Sequence, residues 1–164
     1  MAGSEKKFFI TKATPDDWEA AMELCWRTFL KFEAPVYSQE GIDNFLKFIS
    51  GAELHKMFLI DEYKMYVARE EGSDEIIGVT SVRNRNHVSL LFVDERYHRM
   101  GIGRALLKRL QRQPEGDIKL TVNAAPYAVE FYHKLGFIDS DSMQESDGIK
   151  YTPMTCLSAI NSRY

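Results

Sequence analysis

Two glycines and four arginines crowd one short stretch of the chain, VDERYHRMGIGRALLKRL over residues 93–110. Gly101 and Gly103 stand between Arg99 and Arg104, and Arg96 lies just upstream. The stretch reads as a strand end, a loop and a helix running from about Gly101 to Gln113, with Ile102, Leu106 and Leu110 spaced by four. A helix N-terminus carries partial positive charge and favours Asp or Glu in its first turn. No acid lies between Arg96 and Pro114. Cations at that position are unfavourable unless an anion joins them. Glycines let backbone N–H groups approach an anion closely, and the unpaired N–H groups of a helix start bind phosphate. A phosphate or diphosphate ligand fits this pattern. The other reading is a tight turn with solvated arginines. The spacing places Arg104, Lys108, Gln111 and Arg112 on the helix's wet face. A Walker loop is disfavoured because no Gly-Lys followed by Ser or Thr occurs. A dinucleotide fingerprint is disfavoured because its third glycine would fall on Leu106.

The elements that must position this loop follow from periodicity. FFITKAT (8–14) is strand-like. Thr14, Pro15, Asp16 and Asp17 form a helix start, and Trp18, Met22, Cys25, Trp26 and Phe29 give that helix one apolar face. Pro35 breaks the chain, and Ser38 caps a second helix carrying Ile42, Phe45, Leu46 and Ile49. Residues 64–70, 75–84 and 87–93 are strands joined by the turns EGSD and RNRN. After the glycine-loop helix come a strand over 118–123, a helix opened by Pro126 and closed by Gly136, and a final strand or strand pair in which Pro153 suggests an edge or bulge. The short hairpins imply antiparallel pairing, and the strand–helix–strand unit from 87 to 123 implies one parallel or splayed pair in a mixed sheet. The fold class is therefore α/β (α+β), a mostly antiparallel sheet of six to seven strands with about four flanking helices.

Composition narrows the function. The 164 residues suggest one domain spanning 1–164, with enough chain to bury a core. A net charge of −3 argues against general nucleic-acid binding. Cys25 and Cys156 are far apart, without a CxxC or Cys/His cluster, so no metal site is expected and two free thiols in a reducing compartment are. The polar MAGSEKK start and the lack of an 18-residue apolar run argue against a signal peptide or membrane span, so a cytoplasmic location is expected.

FVDERYHRMGIGRALL resembles the acyl-CoA-binding segment of the GNAT superfamily of N-acetyltransferases, V-x-x-x-x-(Gln/Arg)-x-x-Gly-x-(Gly/Ala) followed by an apolar helix. Val93, Gly101, Ile102, Gly103 and Leu106 match it. NAAPYAVEFYHKLGF resembles the family's next segment through Asn123, Ala128, Phe131, Tyr132, Lys134, Gly136 and Phe137. His98 departs from the usual Gln or Arg, and Glu95 stands where a Pro is common. The resemblance spans roughly the whole domain and is strongest over 87–137.

It implies that acetyl-CoA is the acyl donor, with its diphosphate held on the loop formed by His98, Arg99, Met100, Gly101, Ile102, Gly103 and Arg104. The pantetheine arm would pair with the backbone of Leu91, Phe92 and Val93 like an added strand. A freed N–H near Phe92 would support the oxyanion. The acceptor is an amine, a small-molecule primary amine first and a protein amino group second. A non-catalytic acyl-CoA sensor is a further alternative. Deprotonating an alkylammonium at neutral pH costs roughly 4 kcal/mol, so a base is required.

Tyr132 belongs to a helical apolar stripe with Ala128, Phe131 and Leu135, which suits a core role; the resemblance assigns it the general acid instead. Asn123 is either a cap before Pro126 or a contact to the pantetheine amide. His87 shares a strand face with Ser89 and is the candidate base, against a structural role at a strand start. Glu33 and Tyr37 either line the acceptor site or belong to an ordinary interhelical loop. A homodimer is allowed if the terminal strand pairs at a sheet edge.

Overall fold

The structure, a computed structural model, describes residues 7–160; residues 1–6 of the polar start and 161–164 lie outside them. The chain order is β1 (Phe8–Lys12), α1 (Trp18–Phe32), α2 (Gln39–Ser50), α3 (Ala52–Leu59), β2 (Lys64–Glu70), β3 (Ile76–Arg83), β4 (His87–Val93) and α4 (Ile102–Gln111). A two-residue ladder follows, β5 (Arg112–Gln113) with β6 (Gly116–Asp117). Then come β7 (Leu120–Ala124), α5 (Val129–Lys134), β8 (Phe137–Asp139), β9 (Gln144–Ser146) and β10 (Ile149–Cys156). The main sheet runs β1-β2-β3-β4-β7-β10-β8, with β9 also paired to β10. Every strand pair is antiparallel except β4–β7, which is parallel. The mixed, mostly antiparallel sheet expected from the hairpin spacing is present.

Both faces of the sheet are covered, and alternation along the central strands divides the core in two. Tyr66, Ala68, Ile77 and Val82 pack against Ile102, Leu106 and Leu110 of α4. Met65, Val67 and Val79 pack against Leu24, Cys25 and Phe29 of α1. The glycine-loop helix and the first helix therefore lie on opposite faces, with β4 between them. Both cysteines are buried free thiols. No helix among the described residues is long and apolar enough to cross a membrane.

Three expectations change. α3 is an additional helix, separated from α2 by Gly51, whose extended backbone (φ −72°, ψ 141°) breaks one helix and caps the next. Gln111 is buried rather than wet, because it sits one turn after Leu107 on the same stripe. Its amide donates to the Ser158 carbonyl (2.9 Å) and accepts the Ile160 N–H (2.7 Å), pinning the chain's last described residues to α4. The terminal strand β10 is interior, between β7 and β8, so it offers no free edge for a dimer. Pro153 lies opposite Ser140, just past the end of the β8–β10 ladder, so its missing N–H breaks no rung there, and its carbonyl accepts the Ser140 N–H (2.8 Å).

Candidate active site

The parallel ladder between β4 and β7 contains two pairs, His87 with Thr121 and Val88 with Val122, and then ends. β4 continues to Val93 and β7 to Ala124, so a cleft opens between two neighbouring strands. A bulge at the start of the cleft reorients β4. Ser81 pairs with Leu90 and Val82 with Val88, leaving Ser89 unmatched. Val88, Leu91 and Val93 consequently face the α4 side, while Leu90 and Phe92 face α1. Tyr63 holds the bulge. Its buried hydroxyl bridges Ser81 Oγ (2.6 Å) and donates to Ser89 Oγ (2.8 Å).

The bulge determines which backbone groups face the cleft. Asp94 donates its N–H to the Ile77 carbonyl (2.8 Å), so these two form a bonded pair. Stepping back by two, Phe92 bonds Val79, while Leu91 and Val93 turn their backbone groups away from β3. The open N–H anticipated near Phe92 therefore belongs to Leu91 and Val93. Phe92 commits its own N–H to β3 and contributes its ring to the cleft wall. The Val93 carbonyl already accepts the Nε2–H of His98 (2.7 Å), so His98 ties the loop to the strand end.

The loop at the head of α4 turns through left-handed backbone. Arg99 (φ 66°) and Gly101 (φ 81°) are both left-handed, and Gly101 is the N-cap. The first helical bond is Ala105 N–H to Gly101 O (3.0 Å). The N–H groups of Met100, Gly101, Ile102 and Gly103 have no acceptor among the described residues. Gly103 serves a different purpose. A Cβ there would lie 3.0 Å from the Phe131 ring, so the missing side chain lets α5 close against α4. Arg96 does not join the loop cations. Its guanidinium is bound by Asp94 (3.0 Å) and by Glu75.

The cleft leads into a cavity of about 250 Å³ beneath α1 and α2. Glu33, Tyr37, His87, Leu91, Phe92, Asn123 and Tyr132 all line it, so residues read separately along the sequence meet at one place. Glu33 is the C-cap of α1. Enclosure pushes its carboxyl up to about 7, opposed by a 3.4 Å hydrogen bond from the Tyr37 hydroxyl. Burial, with Glu33 nearby, pushes the Tyr132 hydroxyl above its usual range. Tyr132 is 4% exposed and wedged edge-on between Phe131 and Phe137. Its hydroxyl has no hydrogen bond among the described residues, yet it is not a sealed polar atom, so it opens onto the cavity. Tyr132 is thus both part of the core and part of the cavity wall. His87 is half-buried, with Nδ1 2.8 Å from Thr121 Oγ1; burial first, and the Arg83 charge second, hold its pKa below the usual value. Tyr127, not singled out from the sequence, also lines the cavity, and so does Phe45, read there only as part of an apolar helix face. Tyr127 follows a helix-opening proline, the one local hint that its ring would be displayed.

The family model for the acetyltransferase (GNAT) domain matches residues 33–158. The chain belongs to the GNAT acetyltransferase family. Members are acyltransferases that use acetyl-CoA as donor. A search of curated proteins finds no match to this acetyltransferase. Among solved structures, a GCN5-related N-acetyltransferase from Rhodopseudomonas palustris superimposes with a TM-score of 0.75 at 21% identity, over 95% of this chain and 98% of that one. PaiA N-acetyltransferase from Thermoplasma acidophilum, solved with coenzyme A, gives 0.70 at 19% identity, over 92% and 98%. A chimera of Vibrio cholerae spermidine N-acetyltransferase SpeG and hSSAT gives 0.63 at 15% identity, over 92% and 95%. These likenesses establish the shared fold.

One buried carboxylate holds the acetyltransferase's loop in place. Asp94, 5% exposed, accepts the Arg96 N–H (3.0 Å), Arg96 Nε (3.1 Å) and Arg27 Nη2 (3.2 Å). Hydrogen bonding by the Arg96 side chain, ahead of the other causes that lower it, keeps its pKa below the usual carboxylate value. α1 is thereby fastened to the segment that leads into the glycine loop, and Lys31 with Glu95 adds a second tie. Asp94→Asn is expected to lower stability by about 1–3 kcal/mol, the scale for a weakened buried charge-assisted bond. It should also raise the KM for acetyl-CoA several-fold with kcat little changed. Thermal melts and thiol-release kinetics check both.

Proposed function

We propose that this chain moves the acetyl group of acetyl-CoA directly onto the primary amine of a small molecule. The observation that carries the reading is the continuity of the site. Unpaired N–H groups at the α4 start lead along the open edge of β4 into a cavity holding Glu33 and Tyr132. The residues fit the donor. Met100 to Gly103 offer backbone donors for a diphosphate, with Arg99 beside them. Leu91 and Val93 offer strand-edge groups to the amide-bearing arm. The bound thioester supplies an activated acyl carbonyl and a thiolate leaving group.

Glu33 is the base in this reading. A carboxyl titrating near 7 is about half ionised at neutral pH, so it can attract an ammonium and then accept its proton. His87 remains neutral and anchored to Thr121, and its role becomes shaping the cavity floor. Tyr132 stays protonated because its pKa is raised, which is the form that donates a hydrogen bond to the departing thiolate. The Leu91 N–H meets the developing oxyanion. Asn123, exposed on β7 across the cleft, is the partner for the arm's amide.

The experiment is acetyl-CoA-dependent thiol release with an amine panel. Tyr132→Phe is expected to lower kcat by about 10²-fold or more while the KM for acetyl-CoA changes little. Binding of acetyl-CoA without thiol release in the presence of any amine would overturn the catalytic reading.

A further inference from the structure

The cavity wall carries information about the acceptor beyond its amine. Among the residues that line it, Glu33 is the one carboxylate. The surfaces around it are aromatic. Phe29 stacks on Phe45 with ring centroids 4.1 Å apart, Phe45 tilts against Phe92 at 5.8 Å, and Tyr37 lies 5.6 Å from Phe29. On another side Tyr127, 49% exposed, is stacked on Phe32. Phe48 and Ile149 add to the apolar lining. The cation of the wall is Arg83, at the end of β3 and paired with the neutral His87 at the start of β4.

Resting on the amine-acetylation reading above, we propose that the acceptor is an arylalkylamine, a monoamine whose single ammonium meets Glu33 and whose ring lies among Phe45, Phe48 and Tyr127. The polar groups account for the choice as much as the apolar ones. A polyamine brings a second or third ammonium, and each needs a carboxylate or water. Here the second charge meets aromatic wall or the Arg83 guanidinium, a like-charge contact that discriminates against the wrong partner. A short aliphatic amine meets Glu33 equally well but leaves the aromatic faces uncovered. An aryl ring covers them, and the quadrupole edges and faces of Phe45, Phe48 and Tyr127 suit a further ring. A cavity of about 250 Å³ takes one ring on a short arm and little more.

The test compares kcat/KM for 2-phenylethylamine, ethylamine and spermidine at saturating acetyl-CoA. 2-Phenylethylamine is expected to exceed each of the other two at least about tenfold, the discrimination that apolar pocket contacts supply. Tyr127→Ala, a change at a half-exposed ring, should lower the ratio of 2-phenylethylamine to ethylamine about fivefold or more; a purely structural effect would lower both together and leave the ratio alone. Spermidine or ethylamine turned over as well as 2-phenylethylamine overturns the proposal and leaves acetylation standing. If none of the three is acetylated, acetylation itself fails, and calorimetric binding still decides the acceptor class. Tighter binding of 2-phenylethylamine than of spermidine supports it, and the reverse order overturns it.

Discussion

Glu33→Gln is expected to lower kcat/KM for amine acetylation at pH 8 by about 10²–10⁴-fold, the usual worth of a positioned base, while making the protein harder to melt. Both effects have one cause. The carboxyl is enclosed by the cavity wall, and burial raises it from its ordinary value of 4.5 to about 7. In the unfolded chain it ionises near its ordinary value. The folded state therefore binds the proton more tightly, and the stability associated with it is fully present below pH 4.5 and lost as pH rises through 7. Above pH 7 the folded protein carries a charge in a poorly solvated place. Gln keeps the shape and the acceptor oxygen for Tyr37 without that charge. The gain at pH 8 should be roughly 1–3 kcal/mol, discounted because Glu33 is only half-buried. A chain of this length then shows about 2–4 °C in Tm per kcal/mol. At pH 4 the gain should vanish. Calorimetric melts at the two pH values test this directly.

The pH profile separates Glu33 from its rival. Wild-type kcat/KM should fall as pH drops through about 7, as the carboxyl takes up its proton. That acid limb should be missing in Glu33→Gln. If it persists there and disappears in a His87 variant, the imidazole is the base.

Periodicity and caps reach a few residues along the chain, and they explain what was legible here. The α4 stripe, the proline that opens the next helical segment and the hairpins of β2–β4 are local, and the sheet's mixed character followed from their order. Gly101 was legible as a glycine between cations at a helix start, though its left-handed backbone was not. The cavity was not, because it is a product of divergence. Glu33 lies at the end of α1, His87 at the start of β4 and Tyr132 on α5. Only the early end of the β4–β7 ladder and the bulge at Ser89 bring them to one wall. A bulge changes which faces the strand residues occupy without altering their apolar–polar pattern, so HVSLLFV carries no mark of it. The same limit explains Gln111: a polar residue one turn from Leu107 reads as a wet flank until the chain after β10 arrives to bind its amide. Arg96 groups with the loop cations by type and position alone; its partner Asp94 is two residues upstream, but the second, Glu75, is 21 residues away in sequence and invisible to a local reading.

Gly101→Glu should reduce affinity for CoA about 100-fold or more while leaving the folded chain intact, and comparison with Gly101→Ala shows why. Gly101 has φ 81°, so any side chain there carries a left-handed strain of roughly 1–2 kcal/mol. A Cβ meets nothing within 4 Å, so packing is not disturbed. Both variants bear that strain, and both should melt slightly earlier. They differ in charge. The Glu carboxylate starts from the N-cap, within reach of the N–H groups of Ile102 and Gly103, and satisfies the donors that would otherwise meet a diphosphate. It also places a negative charge where the ligand brings several. Calorimetric titration with CoA should therefore show a small loss for Gly101→Ala and a large one for Gly101→Glu. The loss should grow at low ionic strength, where like charges are less screened. If the glycine served only to turn the chain, the two variants would bind CoA alike, and the cations at the start of α4 would have to be explained without a phosphate.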